Sequence, residues 1–151
     1  MKKMLLALLA CSAFGYALAH QQTGDDRVDY RQGAYRIMGW QMGILGDMAR
    51  GEKPFDQKRA HEAARNLQWA ERLTATTYSP DTKGAKKARL LQKAWNEMET
   101  FADRGRSLKA QIDLLLMALE AGDEAKTKEF IGSVGKACKA CHDDDREKMR
   151  H

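Results

Sequence analysis

The sequence predicts an all-α fold, an up-down-up-down antiparallel four-helix bundle, on three observations. Apolar residues recur at alternating steps of three and four along most of the chain, and no segment alternates with period two beside turn residues. Only two prolines occur, Pro54 and Pro80, and both fall where the helical rhythm breaks. The amphipathic stretches are joined by short links, so consecutive helices should pack as antiparallel neighbours.

The first nineteen residues stand apart from that domain. Lys2 and Lys3 make a positive n-region, an apolar stretch begins at Met4 and continues towards Leu18, and Ala17-Leu18-Ala19 is a small-x-small cleavage site. The expectation is a cleaved secretory signal over residues 1–19 and a mature domain over 20–151. A second reading makes Leu8-Leu9-Ala10-Cys11 a lipoprotein box with Cys11 as the anchor. The stretch is short for a membrane span, so no stable insertion is expected. Roughly 130 residues remain, enough for one core and too few for two.

The first helix is expected over 25–50, stopped by Gly51-Glu52-Lys53-Pro54. Its inward stripe reads Val28, Arg31, Tyr35, Met38, Met42, Leu45 and Ala49. The second begins at Asp56, whose carboxylate can cap the first-turn amides, and runs towards Thr77 through Ala60, Ala63, Leu67, Ala70 and Thr74. Residues 78–84 form a turn-rich connector. The third helix is expected as one rod over 88–121, with a seam of Leu91, Ala94, Met98, Phe101, Gly105, Leu108, Ile112, Leu115 and Leu119. Asp123 can cap the fourth, which presents Phe130, Val134, Ala137 or Cys138, and Cys141, and runs nearly to the C-terminus.

That last helix carries Cys138-Lys139-Ala140-Cys141-His142, the spacing of a c-type haem attachment site. Positions i and i+3 share a helix face, so both thiols can reach the vinyl groups of one porphyrin. The adjacent imidazole can then bind the iron. A zinc site would need a second Cys or His cluster, which is missing, and a thioredoxin-like pair would need a βαβ context. The expectation is one covalent haem c near the C-terminal helix, with Cys11 lost with the signal. Export and covalent haem support each other.

The chain carries +5 overall, two of those charges in the signal. It has no polybasic run interleaved with aromatics, so nucleic acid is excluded as a partner. A basic edge could steer an acidic redox partner, or simply be a solvated face. No Ser/His/Asp set, paired acids or phosphate loop points to an enzyme. His61 and His151 read as solvated, and His20, the expected mature N-terminus, has no second histidine placed to help it bind copper. Arg31 is the odd member of its stripe. Its guanidinium either meets an anion, for which a haem propionate is a candidate, or reaches water along a packed stem.

Several of these residues together resemble the cytochromes c′. The run from Tyr30 through Arg31, Gln32 and Tyr35 to Trp40 is similar to the family's first helix, as is Gly51-Glu52-Lys53-Pro54-Phe55-Asp56 after it. Tyr78-Ser79-Pro80-Asp81-Thr82 resembles its aromatic turn, Trp95 and Phe101 stand at its distances before Ala121-Gly122-Asp123, and residues 135–142 with Arg146 resemble its haem helix. The chain departs from the pattern at Asp143-Asp144-Asp145 and in a longer segment over 83–94.

The resemblance implies roles. Arg31 and Gln32 match the pair that bonds the haem propionates, and Tyr35 matches the residue over the vacant distal face. Tyr78 matches an aromatic beside the haem, Arg146 the proximal arginine, and His142 the axial ligand. It implies a periplasmic haem protein with a five-coordinate, His-ligated iron that binds NO or CO and passes single electrons to redox partner proteins. A homodimer through the first helix is also implied, and Gly39, Gly43 and Gly46 fit either that contact or close packing within the chain. One alternative is a six-coordinate, low-spin electron carrier using Met38 or Met42, although methionines on an apolar stripe are commonly core filler. An alternative of another class is a haemless helical thiol-redox or interaction module.

Overall fold

The computed structural model describes residues 23–148, so the signal, the Cys11 alternative, His20 and His151 lie outside the described residues. Five helices follow one another: α1 (Gly24–Ala49), α2 (Gln57–Arg72), α3 (Gln92–Asn96), α4 (Met98–Glu120) and α5 (Glu124–Asp144). Four are long and form the antiparallel bundle. α3 is a single short turn leading into α4. α1 packs on α2 and α5, and α4 packs on the same two, so the four rods close a ring around one core.

Local chemistry sets the ends of these rods. Thr23 and Asp26 form a capping box at the start of α1: the Thr23 hydroxyl accepts from the Asp26 amide, while the Asp26 carboxylate accepts from the Thr23 amide. Asp56 and Asp123 accept the Arg59 and Lys126 amides at 3.0 and 2.9 Å, as the sequence led one to expect. α1 and α4 each end on a glycine with positive φ, Gly51 at 76° and Gly122 at 68°. Both complete the paired carbonyl bonds of a Schellman stop, Gly51 to Met48 with Glu52 to Asp47, and Gly122 to Leu119 with Asp123 to Ala118.

Burial follows the predicted stripes. Ala60, Ala63, Leu67, Ala70 and Thr74 of the second stripe are all buried. In α4 the seam is buried at Ile112, Leu115 and Leu119 and only half-buried at Met98, Phe101, Gly105 and Leu108. In α1, Val28, Arg31, Met38 and Leu45 are inside and Met42 and Ala49 are half-buried, but Tyr35, expected on the inward stripe, keeps 38% of its surface exposed.

Two expected helix limits are corrected. The second helix stops at Arg72 rather than reaching Thr77, and a separate 3-10 turn covers Ala75–Thr77. The expected single rod over 88–121 is broken. Leu91 is extended and its amide donates to the Asp145 carbonyl at 2.8 Å, while the Glu147 amide donates to the Arg89 carbonyl at 2.9 Å. This pairing with the segment after α5 draws residues 89–91 out of helical geometry. A second break follows at Glu97, where φ −121° and ψ 45° interrupt the helix before α4. Among the described residues no helix is long and apolar enough to cross a membrane.

Candidate functional site

α5 places Cys138, Cys141 and Asp145 at steps of three and four, so they share one face, with His142 next to it. That face borders a cavity of about 420 Å³ at one end of the bundle, within the range of small-ligand and cofactor pockets. α1 contributes Tyr35 and Met38, the connector after α2 contributes Thr74 and Tyr78, and α4 contributes Met98, Phe101, Gly105 and Leu108. Leu90 and Arg146, which face each other across an isolated antiparallel bridge, complete the rim. The wall is therefore mainly apolar, with the thiols and imidazole on one side.

The state of these groups bears on chemistry. Burial pushes both thiols above the ordinary range, Cys141 to about 11, where the neighbouring Asp145 adds to the effect. A working thiol-redox pair needs the opposite, a thiol held low so that the thiolate is present. Burial first, and then the Arg146 cation, lower His142 below its usual value. The neutral imidazole that results is the form that binds a metal.

Tyr35 and Tyr78 share a hydrogen bond, with 2.6 Å between their oxygens. Burial raises both phenols above the ordinary tyrosine value. Both therefore stay protonated at neutral pH. The Tyr78 ring makes an edge contact with Phe101 at 4.8 Å between centroids, and the Arg31 guanidinium lies 4.4 Å from its centre.

Cys138, Cys141, His142, Tyr35, Tyr78 and Arg146 thus meet at one cavity, as does Met38. Met42 does not line it and packs against the hydrophobic core. Arg31 and Gln32 stand outside the wall. Arg31 is 4% exposed and donates to the Thr77 carbonyl at 2.9 Å and the Thr82 hydroxyl at 3.2 Å. Gln32 donates to the Lys87 carbonyl at 2.6 Å. Of Gly39, Gly43 and Gly46, the first two are exposed, and a Cβ there would meet nothing within 4 Å. They do not admit a neighbouring helix of this chain. Gly46 is buried beneath the Arg50 side chain.

One site residue escaped the sequence reading. Asp145 is 2% exposed and accepts from Arg104 at 2.6 Å, closing the pocket where α5 ends. In sequence it looked like part of an acidic run. Its spacing of four after Cys141 was the signal that placed it on the haem-bearing face.

The residues fit a haem. The Cys-x-x-Cys-His set lies on one wall of an apolar cavity. One cation on the cavity wall is under-satisfied: the Arg146 Nε is buried without a partner. An anionic, mainly apolar macrocycle supplies what it lacks.

The family model for cytochrome C′ matches residues 26–146. A cytochrome c′ from Halomonas halodenitrificans is 34% identical over 129 residues, covering 81% of this chain and 96% of that one. The crystal structure of cytochrome c′ from Rubrivivax gelatinosus superposes with a TM-score of 0.80 at 31% identity, over 83% of this chain and 98% of that one. A nitric oxide complex of a mutant of cytochrome c prime from Alcaligenes xylosoxidans gives 0.78 at 28% identity, over 84% and 98%. Family model, relatives and fold agree with the cavity and its Cys-x-x-Cys-His wall, and the chain belongs to the cytochrome c′ family, whose covalently bound haem c it carries.

Proposed function

We propose that the chain is an exported, periplasmic cytochrome c′ that binds NO or CO and transfers single electrons, a carrier and gas binder rather than an enzyme. Residues 1–19 act as the signal and 20–151 as the mature domain. Cys138 and Cys141 would hold the haem through thioethers, and His142 would bind its iron. When bound, the haem supplies an iron that cycles by one electron and takes diatomic ligands. Tyr35 guards the distal face and offers no strong ligand, because its phenol stays protonated. Arg31 and Gln32 would hydrogen-bond the propionates, Arg146 would stand beside His142 on the proximal side, and Tyr78 would border the haem.

The observation that carries this reading is the juxtaposition, around one mainly apolar cavity, of Cys138, Cys141 and His142 with Tyr35. The nitric oxide complex of the Alcaligenes relative supports a gas ligand. Exposed Ile37 and Trp40, beside Gly39 and Gly43 on α1, support a homodimer through that helix. Redox partner proteins complete the set of partners.

Met38 also lines the cavity, which favours it over Met42 in the six-coordinate alternative. The ferrous absorption spectrum separates the two readings, since an open site gives high-spin bands and Met38 ligation gives sharp low-spin ones. A CO titration follows. Tyr35→Ala should tighten CO binding more than tenfold, about 1.4 kcal/mol of relieved crowding. Equal affinities would remove Tyr35 from the distal face.

A further inference from the structure

We infer that Tyr78 is a latch for Tyr35, and that the hydrogen bond between their hydroxyls sets how fast a diatomic ligand enters the haem cavity. The inference rests on the reading of Tyr35 as the distal residue and names what holds it there. The two rings are held very differently. Tyr78 lies between two 3-10 turns, Ala75–Thr77 and Pro80–Thr82, with buried Thr77 and Thr82 on either side. Phe101 meets its ring edge-on at 4.8 Å, and Arg31 lies 4.4 Å from the ring centre. Arg31 is itself fixed, since one of its nitrogens donates to both the Thr77 carbonyl and the Thr82 hydroxyl. Tyr78 is therefore clamped on two sides by groups that cannot easily move.

Tyr35 lacks such a frame. It keeps 38% of its surface exposed, on a helix face that also carries exposed Arg36 and Gly39. A tyrosine there can swing its ring about χ1 towards solvent, and rotamer exchange of this kind is fast. The phenol end is tied to the cavity by the 2.6 Å bond to Tyr78, with the Thr74 hydroxyl beside it as a second polar neighbour. Admitting a ligand beneath Tyr35 requires the ring to move, and the ring cannot move without breaking that bond. The bond thus belongs to the ligand-free state alone. Its loss should appear in association, not in dissociation, because only an interaction that differs between the two states shifts their balance.

The test is laser photolysis of the CO complex of the ferrous holoprotein, reading both rate constants. It compares wild type, Tyr78→Phe, Tyr35→Phe, the double variant and Tyr35→Ala. Each Phe variant keeps its ring and deletes one hydroxyl. A single hydrogen bond corresponds to roughly a two- to tenfold change in population. Tyr78→Phe and Tyr35→Phe should each speed association by that factor and leave dissociation within about twofold. The double variant should be no faster than either single, since the two hydroxyls make one bond. Wild-type association in Tyr78→Phe, or effects that multiply in the double variant, would overturn the latch. If Tyr35→Ala accelerates while Tyr78→Phe does not, the latch falls and Tyr35 keeps its distal place. If Tyr35→Ala has no effect, both readings fall.

Discussion

At one end of the bundle Leu45, Leu67, Ile112, Leu115, Leu119 and Ile131 fill the space between the helices, and Leu45, Leu67, Ile112 and Leu115 have no exposed surface at all. At the other, Met98, Phe101, Gly105 and Leu108 continue the same seam of α4 but stop short and border about 420 Å³ of open space. The sequence rhythm is identical at both ends. A periodic apolar pattern says which face turns inward, and it does not say whether the facing side chains meet. At the dry end large aliphatics interdigitate with the alanines of α2, the packing that protein interiors favour. At the open end a glycine, a half-exposed tyrosine and two thiols leave room. That apolar wall loses the burial worth about 25 cal/mol per Å² unless something covers it.

The most severe way to test this contrast is to remove the anchors. Cys138→Ala with Cys141→Ala should release the haem on acid-acetone extraction and leave a protein whose thermal melt is broad or absent. The open end would keep its void, with its apolar wall uncovered. Haem retained covalently in that variant would refute the attachment site.

A paired truncation within α4 gauges the same contrast. Leu115→Ala, at a position with no exposed surface, should cost about 2–5 kcal/mol in urea melts of the holoprotein. Leu108→Ala, half-buried at the cavity rim, should cost less than half as much. Equal costs would mean that the two ends are equally well packed and would break the comparison.

Arg31 comes next. Its removal deletes two hydrogen bonds and the cation over Tyr78, and should lower holoprotein stability by about 1.5–3 kcal/mol. Haem-band melts of Arg31→Ala check this. An unchanged midpoint would make the buried guanidinium a passenger.

The dry end was the more legible in sequence. The second stripe and the lower α4 seam came out buried residue by residue, because simple aliphatic packing obeys period and nothing else. The caps at Asp56 and Asp123 and the glycine stops were equally local and equally readable. The open end was harder to read, since its geometry depends on contacts distant in sequence. Residues 89–91 leave the helix because they pair with residues 145–147, a partner that no local pattern announces. Asp145 is buried because Arg104 of α4 reaches it, and in sequence it was one acid among three. Gln32 faces the Lys87 carbonyl, a contact across 55 positions. The Cys-x-x-Cys-His motif was legible because all its parts lie on one helix.

The smallest expected effect concerns the rim of the dry end, where α2 is stitched to α4. Asp113 accepts from Gln68 of α2 at 2.9 Å and from Lys109, one turn back on α4, at 2.6 Å. The Lys109 bond, aided by Gln68, lowers the Asp113 carboxyl below its usual value despite partial burial. A carboxyl lowered in the folded state contributes stability that is present above the unfolded value, near pH 4, and lost as pH falls through the lower folded value. Both partners are well exposed, at 51% and 38%, so solvent screening holds the contribution to about 0.5 kcal/mol. Asp113→Asn keeps an acceptor for Gln68 and removes the charge. Urea melts at pH 7 in low salt should show that half kilocalorie, and the gap should close as pH falls through the lowered carboxyl's range or in 1 M salt, where the Debye length shrinks to about 3 Å. A gap that persists at acid pH and high salt would locate the cost in the shape of the α2–α4 contact instead. The dry end would then depend on its polar rim for packing as well as charge.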